Sequence, residues 1–183
     1  ISELEYFVFY GTLLGLVREK NLIENDDDID IYINLKEREK LIQLLQDNGL
    51  FVDLNLKVNK DPSFLQIARE INNKKAVIDF YFFEDDIDDF YLIEKWNFEG
   101  GTNNPDSHLR IPKIYTHPIQ KIQVKNNFIN FPAEPKYLCE FLYGKNWHKK
   151  MQKGLEYTIK VIGGKPIMFK IKKTLFGKKK III

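Results

Sequence analysis

Cysteine is nearly absent from this chain of 183 residues, where Cys139 stands alone. A single thiol excludes an intramolecular disulfide and a cysteine-based zinc site, and it fits a reducing compartment. Its expected role is that of a small buried hydrophobe. Histidine is scarce as well. His108, His117 and His148 are too scattered for a local metal motif, so surface or hydrogen-bonded roles are expected of them. No run approaches the roughly 18 apolar residues needed to cross a bilayer, and the start lacks the basic flank and small-residue cleavage site of a signal peptide. The chain therefore reads as soluble and cytoplasmic, at most touching the inner face of a membrane. An excess of one charge is lacking too: 28 basic residues against 26 acidic ones leave +2. That removes the global field expected of a nucleic-acid binder, and any charge signal must be local.

What is present is enough for one sizeable core: 44% of the residues are hydrophobic and 14% aromatic. Composition shifts only near the end, where MFKIKKTLFGKKKIII from Met168 onward is basic and apolar with no acidic residue. The expected division is one domain over 1–167 and a basic C-terminal tail over 168–183. Such a tail is expected to be solvated or frayed, with peripheral contact to anionic lipid or a polyanionic acceptor as its functional alternative.

Along the domain, Tyr6 to Tyr10 forms a strand pattern stopped by Gly11, and Thr12 is placed to cap a short helix through Leu13, Leu14, Leu16 and Val17. Ile29 to Ile33 alternates as a half-buried strand. Asn34 and Glu37 then suggest a capping box before a helix carrying Leu41, Ile42, Leu44 and Leu45, which Gly49 ends. Phe51 to Val58 alternates well enough to predict a strand, while Ser63 to Glu70 is ambiguous. Ala76 to Phe83 is the strongest β signal, interrupted by one carboxylate, Asp79. Asn126-Asn127 between Ile122–Lys125 and Phe128–Phe131 predicts a hairpin, and Lys136 to Tyr143 a last helix closed by Gly144. The order is α+β, with a mixed sheet of at least four strands flanked by helices and a C-terminal hairpin and helical extension.

The chemistry is concentrated in Asp26-Asp27-Asp28-Ile29-Asp30-Ile31. Residues two apart on a strand share a face, so Asp28 and Asp30 point the same way. Two carboxylates held at a strand edge repel unless a cation intervenes, and an oxygen-only ligand set suits Mg²⁺ or Mn²⁺. Asp79, alone in an apolar strand, is the expected third ligand if its strand lies beside the first. Such a set binds metal at the phosphates of a substrate, and one of the three carboxylates is a candidate base for an attacking hydroxyl. Gly11-Thr12, between a strand end and a helix start, offers N–H groups and a hydroxyl to a phosphate. Arg18, one or two turns later, offers a bidentate fork to the same phosphate. The second acidic cluster, Asp85, Asp86, Asp88 and Asp89, reads as a solvated turn.

The stretch YGTLLGLVREKNLIENDDDIDIYI, Tyr10 to Ile33, resembles the LicD family, which includes fukutin and fukutin-related protein within the nucleotidyltransferase-fold superfamily. Gly11, Thr12, Leu13, Leu14, Gly15, Arg18 and Asp26 to Asp30 match the family pattern. The resemblance continues at Asp79 and at Tyr143-Gly144-Lys145-Asn146-Trp147, similar to the YGxxW that ends many members, and it singles out Trp147 as a substrate-binding candidate. Members often carry Gly-Phe-Ile-Pro-Trp before the aspartates, whereas this chain has Asn21-Leu22-Ile23-Glu24-Asn25. The resemblance implies a nucleotidyltransferase-like fold. It also implies transfer of a phospho-alcohol such as phosphocholine from a CDP-activated donor to a hydroxyl of a glycan or glycolipid, with release of CMP. The alternatives are a nucleotidyltransferase that releases pyrophosphate from an NTP, and a non-catalytic module that holds glycan or membrane.

Overall fold

In the computed structural model, residues 3–24, 26, 28–96, 107–150, 156–174 and 177–182 are described. Strand β1 (Tyr6–Val8) leads into helix α1 (Tyr10–Arg18), and strand β2 (Asp28–Asn34) into helix α2 (Arg38–Asp47) through a short 3₁₀ turn. Strands β3 (Phe64–Ile71) and β4 (Lys74–Asp85) form a hairpin whose corner, Asn72-Asn73, has φ of 51° and 60°. Asparagine tolerates that left-handed corner, which matches the twist of the flanking strands. Strands β5 (Tyr91–Glu94) and β6 (Leu109–Pro112) follow, then the single-turn helix α3 (Lys113–Thr116) and the hairpin β7 (Gln120–Val124) and β8 (Asn127–Phe131). Helix α4 (Pro135–Tyr143) precedes strands β9 (Glu156–Ile162), β10 (Lys165–Thr174) and β11 (Gly177–Ile182).

The central sheet runs β1-β2-β4-β5-β6, with β3 also paired to β4. Its one parallel pair is β2 with β4, where Asp30 lies opposite Asp79 and Ile31 opposite Phe80. The remaining pairs are antiparallel. Alternation along the strands divides the apolar residues between two faces. Ile31, Ile33, Leu65, Ile67, Phe80 and Phe82 face α2, with Leu41, Ile42 and Leu45 packed on them. Phe7, Tyr32, Phe64, Tyr81 and Phe83 lie in the other cluster, with Leu13, Leu16, Leu138 and Leu142 from α1 and α4. Cys139 is buried in this second cluster as a free thiol, and burial pushes it up to about 12. An inert packing role follows.

The α+β class, the mixed sheet, the C-terminal hairpin and the helical extension agree with the expectation from sequence. Three local expectations are corrected. Phe51 to Val58 does not form a strand: Phe51 is 79% exposed, and the segment turns into a 3₁₀ helix at Lys57–Lys60. Turn chemistry overrides the alternation. The Asp53 carboxylate accepts from Asn55 N at 2.9 Å, and buried Asn59 donates to Asp53 O and Gln66 O while accepting from Gln66 N. The hairpin corner at the C-terminal side is Lys125-Asn126 rather than Asn126-Asn127, since Val124 pairs with Asn127 and Lys125 has φ of 54°. Asp85, Asp86 and Asp89 do sit about a turn, yet they are ion-paired: Lys113 and Lys36 reach Asp85, Arg110 reaches Asp86, and Lys113 also reaches Asp89.

Met168 falls inside β10. The position expected to open the basic tail is thus part of a three-stranded sheet, β11-β10-β9. Arg110 N donates to Gly164 O at 3.0 Å across to that sheet.

Asn59→Ala should cost about 2–4 kcal/mol, because it strips part-buried backbone groups of Asp53 and Gln66 of three hydrogen bonds. Leu56→Ala, at a position 41% exposed, should stay within about 0.5 kcal/mol. Urea unfolding of the two variants checks both values, and equal midpoints would show that the Asn59 bonds do not hold this segment.

Candidate active site

The first residues of β2 carry the site. The period of two puts Asp28 and Asp30 on one face, and the parallel register sets Asp79 directly beside Asp30. Carboxylate oxygens of Asp28, Asp30 and Asp79 all lie within 4.8 Å of one another. Asp30 and Asp79 are each 5% exposed, whereas Asp28 is half-buried and opens the cluster toward solvent. Gln66, across from Asp79 in the β3–β4 register, donates Nε2 to Asp79 Oδ1 at 2.9 Å and fixes that carboxylate. Oxygen ligands at this spacing fit a hard divalent cation such as Mg²⁺ or Mn²⁺.

Helix α1 is clasped to the same point. Its start is three residues earlier than a Thr12 cap would give: Phe9 is the N-cap, and Thr12 lies buried within the first turn. Thr12 instead holds Asp30 at both ends. Its hydroxyl accepts from Asp30 N at 2.8 Å, and its own N–H donates to Asp30 Oδ2 at 3.3 Å. A Cβ on Gly11 would stand 2.9 Å from Asp26 Oδ2 and 3.2 Å from Asp30 Oδ2, so a side chain there would push the two carboxylates away from the helix start. A Cβ on Gly15 would stand 2.8 Å from both Asn21 O and Ile23 N, where the chain returns across α1 on its way to the aspartates. The two glycines of the Gly-Thr-Leu-Leu-Gly motif are therefore contact points.

Arg18 ends α1, and its guanidinium donates to Glu19 Oε1 from Nε at 3.2 Å and from one terminal nitrogen at 2.6 Å. Lys150 also reaches Glu19 at 3.0 Å, and these two partners hold the Glu19 carboxyl below its usual range. Trp147 packs against the cluster that α1 and α4 share and meets His148 edge-on. Tyr143 of the same motif is pushed well up by burial, with the charges of Asp30 and Asp26 adding to it. The two motifs, separated by more than 100 residues of sequence, thus converge. Asp27 lies outside the described residues. His117 hydrogen-bonds Glu5 and Thr116, in keeping with a structural role.

One acidic residue escaped the sequence reading. Glu94, on β5 and 1% exposed, accepts from the Tyr10 hydroxyl at 2.9 Å. Its only sequence signal is an acid in the short run Tyr91-Leu92-Ile93-Glu94, which resembles many surface strand ends.

Crowding shows in the acidities. Asp30 is pushed up to about 7, first by burial and next by Asp28, with Asp79 and Asp26 adding and the Thr12 N–H opposing. Glu94 is pushed up to about 8 by burial, opposed by the Tyr10 bond and reinforced by Asp30. Each group keeps its proton in the fold at pH values where the unfolded chain has released it.

A mixed sheet with three convergent carboxylates on neighbouring parallel strands, under a glycine-threonine helix start, presents a ligand set that fits a divalent cation. Residues 3–134 match the LicD/FKTN/FKRP nucleotidyltransferase domain, and the chain belongs to that family. The resemblance seen in the sequence holds, and family membership places the protein among transferases. Among solved structures, a lincosamide antibiotic adenylyltransferase, LnuA, in its lincomycin-bound form is similar at 17% identity with a TM-score of 0.47, over 72% of each chain. No curated protein matches the chain.

The raised carboxyls fix a pH dependence. Their stabilising contribution is complete in acid and is lost as pH rises through about 7 and 8. The metal-free protein should therefore lose melting temperature between pH 5 and pH 8, and Asp30→Asn should flatten that loss. Calorimetric scans across the range test it, with an unchanged slope in the variant assigning the titration to other groups.

Proposed function

We propose that this protein transfers a phospho-alcohol, phosphocholine or a close analogue, from a CDP-activated donor to a hydroxyl of a glycan or glycolipid and releases CMP. The observation that carries the reading is the convergence of Asp28, Asp30 and Asp79 in a chain of the LicD family. A carboxylate trio that repels itself has a use when the partner is a cation and the substrate a pyrophosphate. Bound there, Mg²⁺ or Mn²⁺ would neutralise charge on the donor phosphates.

The remaining work falls to the chain. Thr12 and Gln66 hold Asp30 and Asp79 in place, so the ligand geometry is set before substrate arrives. Gly11 lets the Asp26 and Asp30 carboxylates close on the helix start, and the donor phosphate is placed beside them, against the cation they face. Arg18 serves the donor by exchanging Glu19 for phosphate oxygens, and Trp147 supplies a stacking face toward the substrate. In the reaction the acceptor hydroxyl oxygen forms a bond to the distal phosphorus in line with the bridging oxygen. That bridging P–O bond breaks, CMP departs with the electron pair, and one of the three carboxylates takes the hydroxyl proton. The acceptor reaches the site from solution or from a membrane surface that the basic segment after Met168 touches. No described helix is long and apolar enough to cross a membrane.

Incubation of purified protein with a panel of CDP-alcohols and glycan acceptors, with Mn²⁺ or with chelator, should yield CMP only with metal. Asp28→Asn and Asp30→Asn should each lower kcat/KM about a hundredfold or more, the scale of losing one group that stabilises transition-state charge. The same variants should abolish the rise in melting temperature with Mn²⁺ while leaving the apo fold at least as stable. Pyrophosphate from an NTP in place of CMP would assign the protein to nucleotidyl transfer instead, and full turnover by both asparagine variants would remove the aspartates from the site.

A further inference from the structure

Glu94 is a carboxyl sealed beside the apolar cluster, where it accepts from the Tyr10 hydroxyl. Burying such a group costs free energy that packing alone would not require, since a leucine fills comparable space. What it touches is the start of α1. Tyr10 is the first helical residue and sits at φ of 32°, in the left-handed region that a bulky aromatic rarely adopts. Its ring is pinned 4.3 Å from Phe9 and edge-on to Tyr81 at 5.0 Å, and its hydroxyl spans 84 residues of sequence to Glu94. The next two residues are Gly11, which lies under the Asp26 and Asp30 oxygens, and Thr12, which clasps Asp30.

We propose that Glu94 is a positioning residue: through Tyr10 it holds the strained entry to α1, and thereby the Gly11-Thr12 cradle that orients Asp30. This rests on the metal-dependent transferase reading for its consequences in turnover, while the cradle geometry stands apart from that reading. The clamp needs an acceptor for the tyrosine hydroxyl and no charge, in keeping with a carboxyl pushed up to about 8 by burial. Glutamine is therefore a working substitute, and leucine is not.

The test uses the full chain with Tyr10→Phe, Glu94→Gln, Glu94→Leu and the double variant Tyr10→Phe/Glu94→Leu. Four readouts are taken: Mn²⁺ affinity by paramagnetic titration, amide exchange at Thr12, apo melting temperature, and kcat and KM for the donor. Tyr10→Phe and Glu94→Leu should weaken Mn²⁺ binding about tenfold, the lower end of the loss for an outer partner of a metal ligand. They should also lower kcat more than they raise KM and speed exchange at Thr12 about tenfold, as loss of an ordinary hydrogen bond gives. Glu94→Gln should stay within about threefold of wild type on every readout, and the double variant should be no worse than the worse single one. Wild-type Mn²⁺ affinity and Thr12 exchange in Tyr10→Phe would overturn the proposal, even with a lowered melting temperature. That variant removes one hydroxyl only, so it decides the matter should Glu94→Leu fail to fold. Absence of Mn²⁺ binding by wild type would defeat the metal reading instead, and exchange at Thr12 would still decide whether Glu94 positions the cradle.

Discussion

The parallel register between β2 and β4 sets the conditions that the rest of the site must satisfy. It brings Asp79 alongside Asp30, and the two-residue period of β2 brings Asp28 to the same face. Like charges at that spacing oppose folding by Coulomb repulsion and by desolvation. The neighbouring elements supply the opposing support. Thr12 donates an N–H to Asp30, Gln66 donates to Asp79, and the aromatic wall of Tyr32 and Tyr81 closes the inner side. A shift of one residue in the β2–β4 register would turn Asp79 to the opposite face and disperse the cluster.

The glycine-threonine motif acquires a physical meaning from this geometry. Gly11 and Gly15 sit at the two places where other chain segments press against α1: carboxylate oxygens at the first, backbone atoms of Asn21 and Ile23 at the second. Both contacts follow from one path, in which the chain leaves α1, folds back over it and enters β2 at Asp28. The motif thus encodes how closely helix and strand can approach, and the chemistry depends on that approach. The segment Asn21 to Glu24, which departs from the usual family sequence, makes the second contact through backbone atoms of Asn21 and Ile23 and through the Ile23 side chain, which also packs on the core cluster.

Much of the site was legible in the sequence because its signals are local. The shared face of Asp28 and Asp30 follows from spacing, and a lone Asp79 in an apolar strand announces a partner. Long-range pairing was not legible. Gln66 lay in a segment with no clear period, and its role follows only from the β3–β4 register. Glu94 contacts a residue 84 positions away, and nothing local distinguishes it from an exposed strand end. The reading of Phe51 to Val58 as a strand failed for a different reason: the alternation was present, but the Asp53 and Asn59 side chains offered the backbone partners that outcompete a sheet ladder. Thr12 was expected to cap the helix and offer its hydroxyl to a phosphate, whereas the helix starts at Tyr10 and the hydroxyl accepts from Asp30 N of the neighbouring strand.

The two acidic clusters show why residue type alone does not make a site. Asp85, Asp86 and Asp89 are answered by Lys113, Lys36 and Arg110. At Asp85, burial raises the pKa, but the bond and charge of Lys113 and the charge of Lys36 outweigh it, so the carboxyl titrates below its usual range. Those charges are spent on fastening the β4–β5 turn to β6 and α3. At Asp30 burial acts in the same direction, but the charges that shift it belong to Asp28, Asp79 and Asp26, and the net result is a raised carboxyl. Opposite shifts from the same residue type follow from what faces each carboxylate. A lysine partner completes an internal clasp, whereas mutually facing carboxylates leave an electrostatic demand that a cation from outside the chain can meet. That demand lies beside the half-buried Asp28, where a solvated ion has access, and it is strongest where the fold holds the carboxylates most rigidly.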